Sequence, residues 1–81
     1  KGTVNASLIA PREIFIQALK AGAVSIVLVH NHPSGDDTPS REDLAATEKV
    51  RSAGELIGIR LIDHIIIGSG HFTSLCGSWN H

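Results

Sequence analysis

The sequence is short of cysteine, of aromatic residues and of any strong charge bias. Cys76 is the one cysteine in 81 residues. No internal disulfide can form, and no CxxC metal or redox motif exists. That usage suits a reducing cytoplasm, the expected compartment. Aromatics make up 4% of the chain, so base stacking, a common grip on single-stranded nucleic acid, has little to work with. The net charge is −1, from 7 basic and 8 acidic residues. The broad basic face of a nucleic-acid binder is missing, and no nucleic-acid partner is expected. No apolar run reaches the roughly 18 residues of a membrane span. The opening Lys1-Gly2-Thr3 lacks the charged-then-apolar pattern of a signal peptide. Methionine is absent altogether, at the start as elsewhere, so the chain is expected to be a fragment of a longer protein. What is present is an apolar content of 42%, rich in Ile, Leu, Val and Ala. That supports one folded domain with a real core and excludes disorder. A domain of this size buries only about 60% of its unfolded surface, so its stability margin is thin.

No internal repeat or low-complexity tract divides the chain. Thr3 to Ile9 mixes β-branched and small polar residues and predicts a strand. Pro11 suits the first position of a helix, and Glu13 favours the positive end of its dipole. Ile14, Phe15, Ala18 and Leu19 follow at helical spacing, and Gly22 closes the segment. Val24 to Val29 is a nearly continuous apolar run, which predicts a strand buried on both faces. His30 to Pro39 then brings two prolines, a glycine and two aspartates, the composition of a loop. Ser40 can cap a second helix running to about Leu56. Leu44, Thr47, Val50 and Ala53 form its mostly apolar stripe, with Ile57 just beyond. Gly54 reads as a weak point that helps to end it. Ile59 to Ile67 predicts a third strand, Ser69-Gly70 a turn, and His71 to Leu75 a short antiparallel return. Cys76 to His81 shows no pattern. The order β-α-β-loop-α-β-β describes one small α/β domain with a mixed sheet and two helices.

The chemistry gathers after the second strand. His30 and His32 are two residues apart at a strand end. Alternate residues of an extended chain face the same side, so both imidazoles can converge while Asn31 points away. Pro33 turns the chain out of the strand. Asp43 lies eleven residues beyond His32, at the start of the second helix, where it can complete three ligands. Two imidazoles, one carboxylate and an open position form a catalytic zinc set. Such an ion lowers the pKa of its bound water to about 7. A plainer reading stands beside this one. Ser40-Arg41-Glu42-Asp43 is also a helix start, with Ser40 capping and Asp43 in the first turn. The two are compatible, since a capped helix end is a rigid mount for a ligand.

His30-Asn31-His32-Pro33-Ser34-Gly35, then Thr38-Pro39-Ser40, then Asp43, resembles the signature of the RadC family. That family belongs to the JAMM (MPN+) metalloprotease superfamily, whose pattern is His-x-His, seven residues, Ser, two residues, Asp. Here the seven are Pro33 to Pro39. The likeness extends through Lys1-Gly2-Thr3-Val4-Asn5, Pro11-Arg12-Glu13 and Gly58-Ile59-Arg60-Leu61-Ile62-Asp63-His64-Ile65-Ile66, nearly the whole chain. It implies an MPN fold, similar to the cytidine-deaminase architecture. It implies Zn2+ held by His30, His32 and Asp43, and Ser40 as the catalytic hydroxyl that steadies the scissile carbonyl or oxyanion. The implied activity is hydrolysis of a peptide or isopeptide bond in a peptide or protein substrate by a metal-activated water. Such chemistry needs a general base, and the superfamily places a Glu upstream, on an earlier strand. Before His30 the chain has only Glu13, at a helix start, so Glu13 is not assigned as the base. The expectation is a fragment lacking the N-terminal strand region that carries that Glu. Glu42 and Glu48 match nothing in the pattern.

Two other readings stay open. One is a non-catalytic metal-binding or scaffold module. The other is a DNA-repair association, which the traditional family name carries and the composition does not support. Deaminase chemistry is disfavoured, because its Pro-Cys-x-x-Cys pair is absent. His and Asp ligands also accept divalent ions other than zinc. Asp63 and His64 adjoin on an apolar strand, so only one can face a given site; a structural pairing is expected ahead of a role behind the ligands. Asn31, Ser34 and Gly35 are expected to shape the loop. His71 and His81 read as surface residues, and Cys76 as a small core or edge residue. Arg41, Glu48, Lys49 and Arg51 read as the solvated face of the second helix. Ile65-Ile66-Ile67 reads as core strand, and as a homodimer pairing surface if it lies at a sheet edge.

Overall fold

The apolar run after Ala23 becomes an inner strand, and the rest of the fold is arranged on it. The computed structural model describes residues 2–7 and 10–77. Its elements are β1 (Thr3–Ser7), α1 (Pro11–Lys20), β2 (Ser25–Asn31), α2 (Arg41–Ile57), β3 (Arg60–Ile67) and β4 (Phe72–Ser74). The strands form one sheet in the order β1-β2-β3-β4. β1, β2 and β3 run parallel, and β4 returns antiparallel on β3. This is the α/β class, the mixed sheet, the two helices and the order that the sequence predicts. Leu8 and Ile9, placed in the first strand from sequence, lie outside the described residues, as do residues 78–81, His81 among them.

Both β-α-β connections step the same way across the sheet. Right-handed crossovers therefore put both helices on one face, where α1 and α2 touch each other. The core lies between them and the sheet: Ile14, Phe15 and Ala18 of α1, Ile26 and Leu28 of β2, Val50 of α2, and Leu61 of β3. Each large apolar side chain buried here contributes about 1.5–3 kcal/mol. Ser25 to Leu28 are all buried, so β2 is covered on both faces as expected, but Val24 lies before the strand and is exposed. β2 also runs further than its apolar stretch. His30 pairs with Ile66 and Asn31 with Ile67, because the parallel ladder with β3 continues past the last valine.

α2 begins where the sequence places it, on a Ser40 cap, and ends at Gly58 in the left-handed conformation. Its buried face keeps Thr47 and Val50 of the predicted stripe, and Ala53 packs against the core, but the rest differs. Asp43, Thr47, Val50 and Gly54 face inward, whereas Leu44 and Ile57 are about half exposed. The inward face is centred slightly to one side of the predicted stripe, which brings Asp43 inward in place of Leu44. Gly54 does not end the helix. It marks the closest approach of α2 to the chain entering β3, and a Cβ there would run into the carbonyl oxygen of Ile59.

β3 carries one irregularity that positions the site. Ile26 pairs with Leu61 but Val27 pairs with Asp63, so Ile62 is an extra residue. A one-residue bulge switches the faces of all that follows. Leu61 and His64, three apart, thus both face the helices: Leu61 joins the core and His64 meets Thr47 of α2. β3 lies inside the sheet, between β2 and β4. Ile65-Ile66-Ile67 therefore offers no free edge for pairing with another copy. Ile66 is fully buried, Ile65 half-buried and Ile67 exposed.

Candidate metal centre

The end of β2 and the start of α2 bring His30, His32 and Asp43 together. Ser40 caps α2 by accepting the Asp43 N–H at 3.1 Å, and Asp43 Oδ2 accepts the Ser40 N–H at 2.8 Å. This capping box fixes the carboxylate, which is 1% exposed, at the foot of the two rings. His30 Nδ1 lies 3.0 Å from Asp43 Oδ1, and His32 Nε2 lies 3.1 Å from Asp43 Oδ2. The rings stand perpendicular, with centroids 4.8 Å apart. Asn31 is exposed between them.

The loop holds His32 in place. His32 Nδ1 donates to the Asp36 carbonyl at 2.8 Å, the only sense open to that contact. Asp36 Oδ1 accepts from Thr38 N and Thr38 Oγ1, and Ser34 Oγ accepts from Asp36 N. The Thr38 contacts hold the Asp36 carboxyl below its ordinary range. Gly35 has φ +83°, and a side chain there would meet Ser69; its carbonyl accepts from Ser69 N at 2.8 Å. Asp37 Oδ2 accepts from Thr73 Oγ1 at 2.7 Å and sits 3.1 Å from His71 Nδ1. These partners, Thr73 first, lower the Asp37 pKa. The loop is thus fastened to the β3–β4 turn, and exposed His71 is one of its fasteners.

The donor set fits a cation. With Nδ1 of His32 committed as a donor, its Nε2 is bare unless the ring takes a second proton. A bare nitrogen 3.1 Å from a carboxylate oxygen sets lone pair against lone pair, and a positive ion between them removes the conflict. Burial alone would raise the Asp43 pKa. The Ser40 N–H, the Ser40 hydroxyl and His30 outweigh it, and the carboxyl is held below its ordinary range. It is therefore ionised at neutral pH, as metal binding would require.

A further histidine joins the group. The donor atoms of His30, Asp43 and His64 all lie within 4.8 Å of one another; His32 is not part of that group and reaches it through Asp43. His64 is fully buried, its ring roughly parallel to that of His30 at 6.2 Å. Burial, then the nearness of His30, lowers its pKa against the opposing pull of Asp43 and Asp63, so the ring is neutral. Its neighbour Asp63 faces away, accepting from Ser74 Oγ, from Cys76 N at 2.8 Å and from His64 N at 2.7 Å. Asp63 is thus the structural member of the pair, and His64 the one beside the site. Nothing local in the sequence marks His64; its place depends on the bulge at Ile62. Cys76 is exposed rather than buried in the core. Partial desolvation and the Asp63 carboxylate raise its thiol pKa, the reverse of what a nucleophile needs. No glutamate joins the cluster among the described residues. Glu13 is paired with Arg12, and Glu48 with Arg51, on exposed surface. No helix among the described residues is long and apolar enough to cross a membrane.

The family model of the RadC-like JAB domain matches residues 1–79. A UPF0758 protein of Desulforamulus reducens is 58% identical over 74 residues, 91% of this chain and 33% of that protein. UPF0758 proteins of Pelobacter propionicus and Staphylococcus epidermidis are 54% and 55% identical, over 91% and 93% of this chain. The chain spans about a third of the length of the curated relatives it matches. With that match along almost all of its length, the chain belongs to the RadC-like JAB domain family.

Proposed function

We propose that this domain is the metal-binding part of a JAMM-type hydrolase that cleaves peptide or isopeptide bonds, with Zn2+ held by His30, His32 and Asp43. The observation that carries the reading is the convergence of both rings on one buried, capped carboxylate. A divalent ion bound there would act as a Lewis acid and supply a nucleophilic water near neutral pH. The protein's own part is orientation. The Asp36 carbonyl sets the His32 tautomer, as a ligand's outer partner does. Ser40 Oγ accepts the Asp43 N–H, and its own hydrogen, which here steadies the Asp43 carboxylate, could turn to a substrate carbonyl oxygen or oxyanion.

The proton acceptor is assigned to a carboxylate supplied by the longer protein, because no glutamate joins the cluster among the described residues. That same observation favours the second reading, a metal-binding scaffold without turnover. The test is peptidase activity of the full-length protein with and without a chelator. Activity lost on chelation and restored by zinc supports the hydrolase. Chelator-insensitive cleavage contradicts the metal mechanism, and no cleavage by a zinc-loaded protein leaves the scaffold.

A further inference from the structure

One buried nitrogen in the cluster is assigned no role by the three-ligand site. Thr47 Oγ1 lies 2.7 Å from the Asp43 carbonyl oxygen and 2.6 Å from His64 Nδ1. A hydroxyl has one hydrogen. The carbonyl can only accept, so the hydroxyl donates to it. The second short contact is then favourable only if His64 Nδ1–H donates to the hydroxyl oxygen. The ring is thereby held as the tautomer with a bare Nε2. That Nε2 is buried and has no hydrogen-bond partner among the described residues, in a side chain that is 0% exposed. An unpaired buried acceptor is unfavourable in a folded protein. A neutral imidazole whose other nitrogen is held by an outer partner is, however, the usual form of a metal-ligating histidine.

We propose that His64 Nε2 is an additional ligand of the metal, approaching from the sheet and joining His30 and Asp43 at its buried side. The inference rests on the metal reading of the site and goes beyond its three ligands. His30 and His32 are the more exposed members, with side chains 32% and 16% exposed, so His64 closes the inner side and His32 faces the loop. The shell gains a third imidazole. That shifts preference toward zinc-like transition ions and away from magnesium or calcium, which favour oxygen ligands. A shell already holding four protein ligands takes a water only by expanding to five.

The test is ring-nitrogen NMR of the 81-residue chain with 15N-labelled histidine, titrated with Zn2+. Before zinc, His64 is expected to show a protonated Nδ1 and a bare Nε2. One equivalent of zinc should shift the His64 Nε2 signal out of the bare-nitrogen range, together with signals of His30 and His32. If those two respond while His64 Nε2 stays unchanged, the three-ligand site stands and the inference is overturned. If no ring responds, the metal reading itself fails. Thr47→Val keeps the shape but releases the ring. It should weaken zinc affinity by about 10- to 100-fold in a chelator competition, with the circular dichroism spectrum retained. Unchanged affinity in that variant counts against His64 as a ligand.

Discussion

Asp43 joins the fold to the site at the scale of single residues. Its carboxylate closes the helix cap and meets both histidine rings. The sequence allows both readings of Ser40-Arg41-Glu42-Asp43, and the geometry satisfies both at once. They separate on substitution. Ser40→Ala removes the cap and should lower stability by about 1 kcal/mol in urea unfolding. Ser40→Asn restores an acceptor at the cap and should recover most of that loss, yet leave peptidase turnover of the full-length protein impaired. Recovery of turnover by Asn would show that the hydroxyl is structural only. Asp63→Asn takes an acceptor from three inward donors and should cost at least about 2 kcal/mol. The His-x-His pair and Asp43 were legible because strand alternation and helix capping are local rules. His64 was not, because the extra residue at Ile62 reverses its face and only the pairing with β2 shows it.

At the scale of elements, the helices and strands followed from spacing, and the contacts between elements did not. Gly54 is the clearest instance. Helix propensity alone says that Gly54→Ala should stabilise α2 by about 1 kcal/mol. The approach of Ile59 to the helix says the opposite, since forcing in a methyl costs about 1–3 kcal/mol. Steric conflict with backbone should win, and thermal unfolding of the Ala variant should show a lower midpoint. The loop has its own signature with pH. The Asp37 pKa is lowered by Thr73 and then His71. A depressed carboxyl stabilises above its unfolded pKa, about 3.9, and the contribution is lost as pH falls through the lower folded value. Amide exchange at Gly35 and Ser69 should therefore stay protected at pH 5 and rise only in stronger acid. Asp37→Asn should raise it at pH 5 and flatten the further rise in stronger acid.

For the whole molecule, the parallel β1-β2-β3 sheet sets the end of β2 beside the start of α2, and the candidate metal centre lies in that crevice. Ligand sites of open α/β sheets gather at such strand ends. Composition and periodicity predicted the class and element order, because a chain this small has few ways to bury two helices on a sheet. Composition spoke only against a nucleic-acid partner and carried nothing about a substrate, since that depends on surfaces that a single chain's patterning does not encode. Metal binding to the folded state should raise its stability by about 2.7 kcal/mol at a free zinc level one hundred times Kd, seen as a zinc-dependent rise in Tm. The most direct measurement is metal content after equilibrium dialysis against zinc, for the native chain beside His32→Ala and Asp43→Asn. Ligation by His30, His32 and Asp43 predicts about one ion per native chain and strongly reduced content in both variants. Equal content in all three would contradict it.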